Sequence, residues 1–495
     1  LALAALASCW LWPVSVSWRT APDLGHAWAV PVLMAYLWWE RWGERPVAIA
    51  RSIRWWWLVA AGILTGGQLV LRLLLTPFPL WPMLLAVYTG LFIVTAGLGA
   101  WLWAGRRGVA WVLGPTLLMF SALPAPSLFE TAIILPLRGG MAALAAEISN
   151  ALGYPALAAG TSIQLARSWV GVDEACGGIR SLQACVMIGL FFGEWFRFSL
   201  WRRALLLAAA MMAALISNFA RVLFLALRAQ GGPDALHAAH DAAGWLAMLA
   251  SLTLTGLLAC HWAGYRWPPQ QRPAAAEPRV SRTWMWVTFV AALFASNELA
   301  TRLWYAHGEM IRGSAAQWTA RLPEQSPSFR SQPLGESARE MLRPDLYVAG
   351  SWLLPPDTRV SAYYIEWRRG QVARSVPFLH NPTVCLPLSG CELVETLPVL
   401  TVHGAGAEIP FFVYRFRRAS DRFLVGFTIW DTARGRPLLR QGELTSWSDW
   451  LKIQWGEVRN AQENKPAQLL TVSVPEGSAD LSHLKTQIQQ LINFR

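Results

Sequence analysis

Cys176 stands in the stretch Val172-Asp-Glu-Ala-Cys-Gly-Gly-Ile-Arg-Ser-Leu182, after two acids and just ahead of an apolar run that reaches Trp195. A polar, glycine-containing turn running into such a stretch predicts a thiol at the start of a helix. Helix N-termini offer unpaired N–H donors and partial positive charge, both of which favour thiolate over thiol. Arg221, in Ser217-Asn-Phe-Ala-Arg-Val-Leu-Phe, is a charge inside an apolar run, where burial is expensive, and Asn218 precedes it on the same helical face. Snorkelling to lipid headgroups is the ordinary alternative for Arg221. His237 and His240 follow, on one face if that segment is helical, with Asp241 and Gly244 next. Either histidine is a candidate base, and a solvated loop histidine is the plain alternative. Cysteine, histidine and arginine at one face suit acyl transfer on a peptide. The thiolate attacks the carbonyl, histidine relays a proton to the leaving amine, and arginine holds the thiolate or the developing oxyanion. Gly177 and Gly178 let backbone approach the substrate and present N–H donors. Cys9, Cys185 and Cys260 lie in apolar runs without polar company and read as small apolar residues.

The elements that must position these groups are membrane spans. The chain has 495 residues, of which 54% are hydrophobic and only 15% charged, with 30 Trp, and a mean hydropathy of +0.33. This excludes an ordinary soluble enzyme and indicates a multi-pass protein in a lipid bilayer. Apolar runs predict spans near 2–18, 27–39, 55–74, 79–103, 109–123, 181–196, 204–228, 242–263 and 283–303. The first is read as a span because it has no basic leader or clear cleavage site. Arginines cluster in four loops: Arg41, Arg45, Arg51 and Arg54; Arg106 and Arg107; Arg197, Arg202 and Arg203; and Arg266, Arg272, Arg279 and Arg282. All four fall on one side if the spans are real, and the positive-inside rule makes that side cytoplasmic. Cys176, Arg221, His240 and everything after residue 303 then face outward. The net charge is +12, but arginines fall in these short clusters between apolar runs, so no nucleic-acid partner is expected. The six cysteines form no CxxC pair or metal-ligand grouping with His, so no zinc site is expected.

The expected fold is an all-α polytopic membrane bundle of about eight core transmembrane helices plus one anchor helix, followed by a soluble α+β domain. The transmembrane domain covers 1–265, a Pro-rich cytoplasmic linker 266–282, the anchor helix 283–303 and the outer domain 304–495. Residues 124–180 form an outer segment whose amphipathic part, near Leu137 to Leu152, lies on the bilayer or dips into it. In the outer domain, strands are predicted at Ser361–Trp367, Pro410–Phe416 and Arg422–Trp430. Helices are predicted near Glu336–Leu342, Glu443–Trp455 and Leu481–Asn493.

The order Glu-x-Cys-x-Gly-Ile-Arg-Ser-Leu (174–182), Asn-x-x-Arg (218–221) and His-x-x-x-Gly (240–244) resembles the exosortase/archaeosortase family of membrane-embedded, sortase-like cysteine transpeptidases. The likeness covers roughly 25–265 and includes Leu135-Pro-Leu-Arg-Gly-Gly and Gly153-Tyr-Pro. It implies catalytic Cys176, Arg221 and His240, with His237 as alternative base and Glu174, Gly177, Gly178, Arg180 and Asn218 in support. The family commonly has Ser where this chain has Gly177. The implied substrates are exported proteins ending in a short motif such as Pro-Glu-Pro, one membrane helix and a basic tail. An acceptor amine or water resolves the thioacyl enzyme, and no cofactor takes part. A Gram-negative inner membrane is implied, with the active site periplasmic. Separately, His380-Asn-Pro-Thr-Val-Cys-Leu-Pro-Leu-Ser-Gly-Cys391 is similar to the signature of the exosortase-associated domain of exopolysaccharide loci. In an oxidising periplasm Cys385 and Cys391 either close a small disulfide loop or stay free, and His380 with Cys385 is an alternative reactive pair. The rival reading of the whole chain is a non-hydrolytic membrane component of exopolysaccharide assembly or export, with Arg221 and His240 on an anionic glycolipid and Cys176 incidental.

Overall fold

The computed structural model describes residues 2–494 except 21, 50–53, 127–128, 166–168, 172–177, 232, 266–282, 311–317, 335–338, 340–341, 343, 356–357, 369–381, 389–390, 405–406, 419–420, 433–434, 439–454, 457, 462–465 and 477–480. It divides into two compact units. The first holds residues 1–75 and 80–300, the second 76–79 and 301–495.

The first unit is helical: α1 (Ala2–Thr20), α2 (Ala29–Glu40), α3 (Trp55–Leu75), α4 (Pro82–Thr116), α5 (Leu135–Ala151), α6 (Gly178–Trp195), α7 (Leu200–Ala229), α8 (Pro233–Trp262) and the part of α9 (Thr283–Met310) up to Ala300. Among the described residues five helices are long and apolar enough to cross a membrane: Trp55–Leu75, Pro82–Ala122, Ala132–Ala151, Leu200–Ala229 and Ala238–Trp262; Ser181–Trp195 is a shorter apolar helix. This supports a multi-span unit, but not all eight expected core spans have that length and composition. The run at 27–39 yields only the twelve residues of α2. The two runs at 79–103 and 109–123 belong to one helical stretch that breaks at Ala104 and Gly105, the latter at φ 61°. The arms fold back there, since a Cβ on Gly97 would touch Leu113 and Gly108 leaves no room for one beside the Ala100 carbonyl. Glycine is required at 105 because a side chain resists positive φ. The segment near 137–152, expected to lie on the bilayer or dip into it, falls within Ala132–Ala151, one of the helices long and apolar enough to cross a membrane.

Two sets of polar contacts tie the helices together. At one end, Glu194 near the end of α6 is only 3% exposed and accepts hydrogen bonds from Arg41, just past α2, and from Arg203 in α7. Arg197 pairs with Glu40 and Glu44 at 3.4 and 2.7 Å, and Ile49 N–H donates to the Trp103 carbonyl at 2.8 Å. Three of the four arginine loops therefore converge on one end of the bundle; the fourth, 266–282, lies outside the described residues. Elsewhere, Arg72 of α3 meets Glu298 of α9 at 2.5 Å, both side chains nearly buried. Exposed Trp42 and Trp56 at the arginine-rich end carry Arg45 and Arg54 over their rings at 5.1 and 4.1 Å, contacts suited to a bilayer interface.

The second unit is strand-rich. Its main sheet is antiparallel, in the order β5 (Arg330–Ser331), β6 (Leu346–Leu354), β7 (Thr358–Trp367), β12 (Ala467–Pro475), β10 (Asp421–Asp431), β9 (Ala407–Arg418), β8 (Glu392–Gly404), with β11 (Arg436–Pro437) beside β10. β4 (Trp318–Ala320) pairs with β13 (Ile492–Phe494). Alternation sets the core: Val360, Ala362 and Tyr364 of β7 and Leu470, Val472 and Val474 of β12 are buried with Trp318 and Trp430. The helix Leu481–Leu491 covers that face through Leu484, Ile488 and Leu491. The three predicted strands and this helix are present. The helix expected at Glu443–Trp455 lies almost wholly outside the described residues, as does much of Glu336–Leu342.

Candidate active site

The described candidate residues Arg221 and His240 lie on α7 and α8, and the segment that carries Cys176 precedes α6. Between α5 and α6 the chain forms a small antiparallel sheet that the sequence did not announce: β1 (Ala156–Ala159), β2 (Ser162–Leu165) and β3 (Trp169–Gly171), in that order. Asn150 launches it, its amide donating to the Ala156 carbonyl and its oxygen accepting from the Ala156 N–H, both at 2.8 Å. Ile163, Leu165 and Val170 are buried with Ala142, Ala145 and Ala146 of α5 and with Val222, Leu225 and Ala226 of α7. The apolar side of α7 beside Arg221 is thereby covered by sheet and helix instead of lipid.

β3 ends at Gly171 and α6 begins at Gly178. Cys176, with Glu174 and Gly177, lies in the six residues between, outside the described residues; of Gly178 and Arg180 only the helical backbone is described. Both flanking elements pack on α7. α6 and α7 run antiparallel, joined by a short turn, and a Cβ on Gly189 of α6 would meet Leu207 and Ala210 of α7. The same number of residues further along each helix leads to Gly178 on one and to Asn218 and Arg221 on the other. The N-terminus of α6 thus lies level with Arg221.

Arg221 and His240 are brought together. The Arg221 Nη2 lies 3.4 Å from His240 Nε2, and His240 Nδ1 lies 2.9 Å from Asp241 Oδ1. A carboxylate only accepts and a guanidinium only donates, so these partners fit the ring tautomer with its proton on Nδ1 and the Nε2 lone pair toward Arg221. The imidazole is about one-third exposed and the Asp241 carboxylate is 92% exposed, leaving the pair open to an incoming group. Gly244 lies one turn after His240 on α8, where an added Cβ would stand 3.0 Å from Arg221 Nη2 and 3.1 Å from its Cζ. Its lack of a side chain makes the space the guanidinium occupies. Asn218 is buried, its amide 3.8 Å from the Met141 sulfur of α5.

His237 shares α8 with His240, and the segment 229–241 is mainly the opening turns of that helix instead of a loop; the His237 side chain lies outside the described residues. Asp241 received no role from the sequence, although a carboxylate next to a candidate base was its signal. Among the described residues no three His, Cys, Asp or Glu side chains are grouped to hold a metal ion. In the second unit Cys391 is buried with Phe416 and Val425 and is a free thiol; burial pushes its pKa up. His380 and the Cys385 side chain lie outside the described residues.

A multi-span helical unit with an arginine and a histidine in contact at one end, beside the start of a helix, defines the class: a membrane protein with a polar site at one end of its bundle. Residues 18–257 match the model of the transmembrane exosortase family, Exosortase_EpsH. The family is consistent with a membrane cysteine peptidase or transpeptidase. Residues beyond 257 lie outside the match. No curated protein and no solved structure matches the chain.

Proposed function

We propose that the protein is a membrane-embedded cysteine peptidase or transpeptidase that cleaves C-terminal tripartite, PEP-CTERM-like sorting signals of exported proteins. The observation that carries the reading is the Arg221–His240 contact, with Gly244 leaving the guanidinium its room. They come from two separate motifs, Asn-x-x-Arg (218–221) and His-x-x-x-Gly (240–244), whose common requirement is such a site. Cys176 is the nucleophile. Its thiolate adds to the scissile carbonyl carbon, forming a C–S bond. The C–N bond then breaks, and the departing nitrogen leaves as an amine after taking a proton relayed by His240. An acceptor amine, or water, adds to the thioester and returns the thiolate. Arg221 supplies positive charge to the thiolate and to the carbonyl oxygen as it becomes an oxyanion.

Convergence of the arginine loops at the opposite end of the bundle supports, through the positive-inside rule, a periplasmic site in a Gram-negative inner membrane. The second unit is read as an exosortase-associated domain that is also periplasmic, and exopolysaccharide is one candidate acceptor. The test is processing of a co-expressed substrate bearing a motif, helix and basic tail. Cys176→Ala should abolish cleavage while the enzyme still accumulates in the membrane. Normal cleavage by that variant would sink the reading. Loss of polymer export in Arg221→Ala, with Cys176→Ala silent, would favour the exopolysaccharide component instead.

A further inference from the structure

The family match stops at residue 257, yet the matched region carries a polar groove that something must fill. α3 buries Trp57, Ala61, Leu64, Gln68 and Arg72 along one face. A glutamine and an arginine facing hydrocarbon would be costly, so this face requires a polar partner. α9, from outside the match, supplies one. It buries Trp286, Val290, Phe294 and Glu298 at successive four-residue steps, a single stripe along the helix.

The two stripes meet in a fixed parallel register. Trp286 donates to the Trp57 carbonyl at 2.9 Å, and the Asn297 amide donates to the Thr65 carbonyl at 2.9 Å and to Gln68 Oε1 at 2.8 Å. Arg72 then engages both oxygens of Glu298, from Nε at 2.5 Å and from Nη2 at 3.1 Å. Gly99 of α4 forms the other wall, where a Cβ would reach Val287 and Trp286. Hydrogen bonds and a bidentate ion pair, the groups that give membrane helices specific partners, carry the contact.

We infer that the α3–α4 face is a receptor site for one helix bearing an Asn-Glu pair, filled here by α9, and that this docking holds the C-terminal part of the chain to the helical unit without need of the 266–282 connection. The inference is independent of the chemistry proposed for Cys176. It predicts that the connection is dispensable once the chain has folded.

The test uses the full chain with a protease recognition sequence inserted within 266–282 and an affinity tag at the C-terminus. After complete cleavage in mild detergent, the N-terminal fragment should be recovered with the tagged fragment. Arg72→Glu or Glu298→Arg should lower that recovery roughly tenfold, the scale of one or two interhelical polar contacts, and the double reversal should restore it. Should the reversed single variants fail to accumulate, Glu298→Gln combined with Asn297→Ala takes their place, with the same loss expected. Separation of the unmodified fragments after cleavage overturns the inference, as does full recovery with the substituted chains or absence of rescue by the double reversal.

Discussion

Arg221 and His240 face each other across two antiparallel helices, Nη2 to Nε2 at 3.4 Å, in a space that exists because residue 244 has no side chain. The distance is at the long end of hydrogen bonding, so the pair is poised to admit a substrate group without first breaking a strong bond.

Gly244→Ala is therefore expected to act on the site and not on the fold. The new methyl would press on the guanidinium, the mobile end of a long side chain, which yields by moving away from His240. A displacement of about 1 Å costs on the order of 10²-fold in rate when geometry is the catalyst's main contribution. Processing of a reporter substrate should fall by that amount while the level of the variant in the membrane stays near that of the parent. Unchanged processing would separate the contact from the chemistry.

The opposite end of the bundle should respond in stability. Glu194 is nearly buried and serves both Arg41 and Arg203, and Gly114 leaves no room for a Cβ beside its carboxylate. Removing one partner from such a site strands charge and costs about 3–5 kcal/mol. Glu44, whose pairing with Arg197 is more exposed, belongs to the class worth about 0–1 kcal/mol. Glu194→Gln should accordingly lower the detergent melting temperature far more than Glu44→Gln.

Charge pattern and hydrophobic runs foretold much of this arrangement, and the reasons are physical. Arginine-rich loops gave the common end because lipid imposes alternation on every apolar run. Arg221 stood out because charge inside such a run is costly. The same rule applied to Gln68, Arg72, Glu194 and Glu298, which also sit in apolar runs; Arg203 lies only nine residues from Glu194, but the other partners lie far along the chain, up to 229 residues away for Asn297 with Gln68, and no local spacing encodes those pairings. The sheet before Cys176 stayed hidden because its strands are three or four residues long, and Ala156-Leu-Ala-Ala has no β-branched or aromatic residue. Burial against α7 makes it a sheet, and that is tertiary information.

In the strand-rich unit, Cys391 offers a pH-dependent test. Burial raises its thiol pKa, so the folded chain favours the neutral form. The associated stability is fully present below the pKa of the unfolded thiol and is lost as pH rises through the folded value. At about pH 8, iodoacetamide should modify Cys391 slowly in the folded protein and rapidly once urea unfolds it, because only the thiolate reacts. Intact mass without reductant reads the alternative directly. Labelling of Cys391 only after reduction would establish a disulfide, with Cys385 the first candidate for its partner.

Asn150 connects fold to chemistry at a distance from the reacting groups. Its amide makes two hydrogen bonds to Ala156, closing the turn at Gly153, which has φ +85°, and starting the sheet whose last strand runs into the Cys176 segment. The residue is exposed, so Asn150→Ala leaves no buried polar group and should cost only about 1 kcal/mol per bond, too little to unfold the unit. Loosening β1 loosens β2 and β3 through their shared ladder, and with them the strand that leads to the proposed nucleophile. Processing should drop by roughly tenfold at unchanged protein level, and Asn150→Asp, which still accepts from the Ala156 N–H, should retain part of the activity. Equal loss in both variants would assign the effect to the donated bond alone, and no loss in either would show that the sheet does not position Cys176.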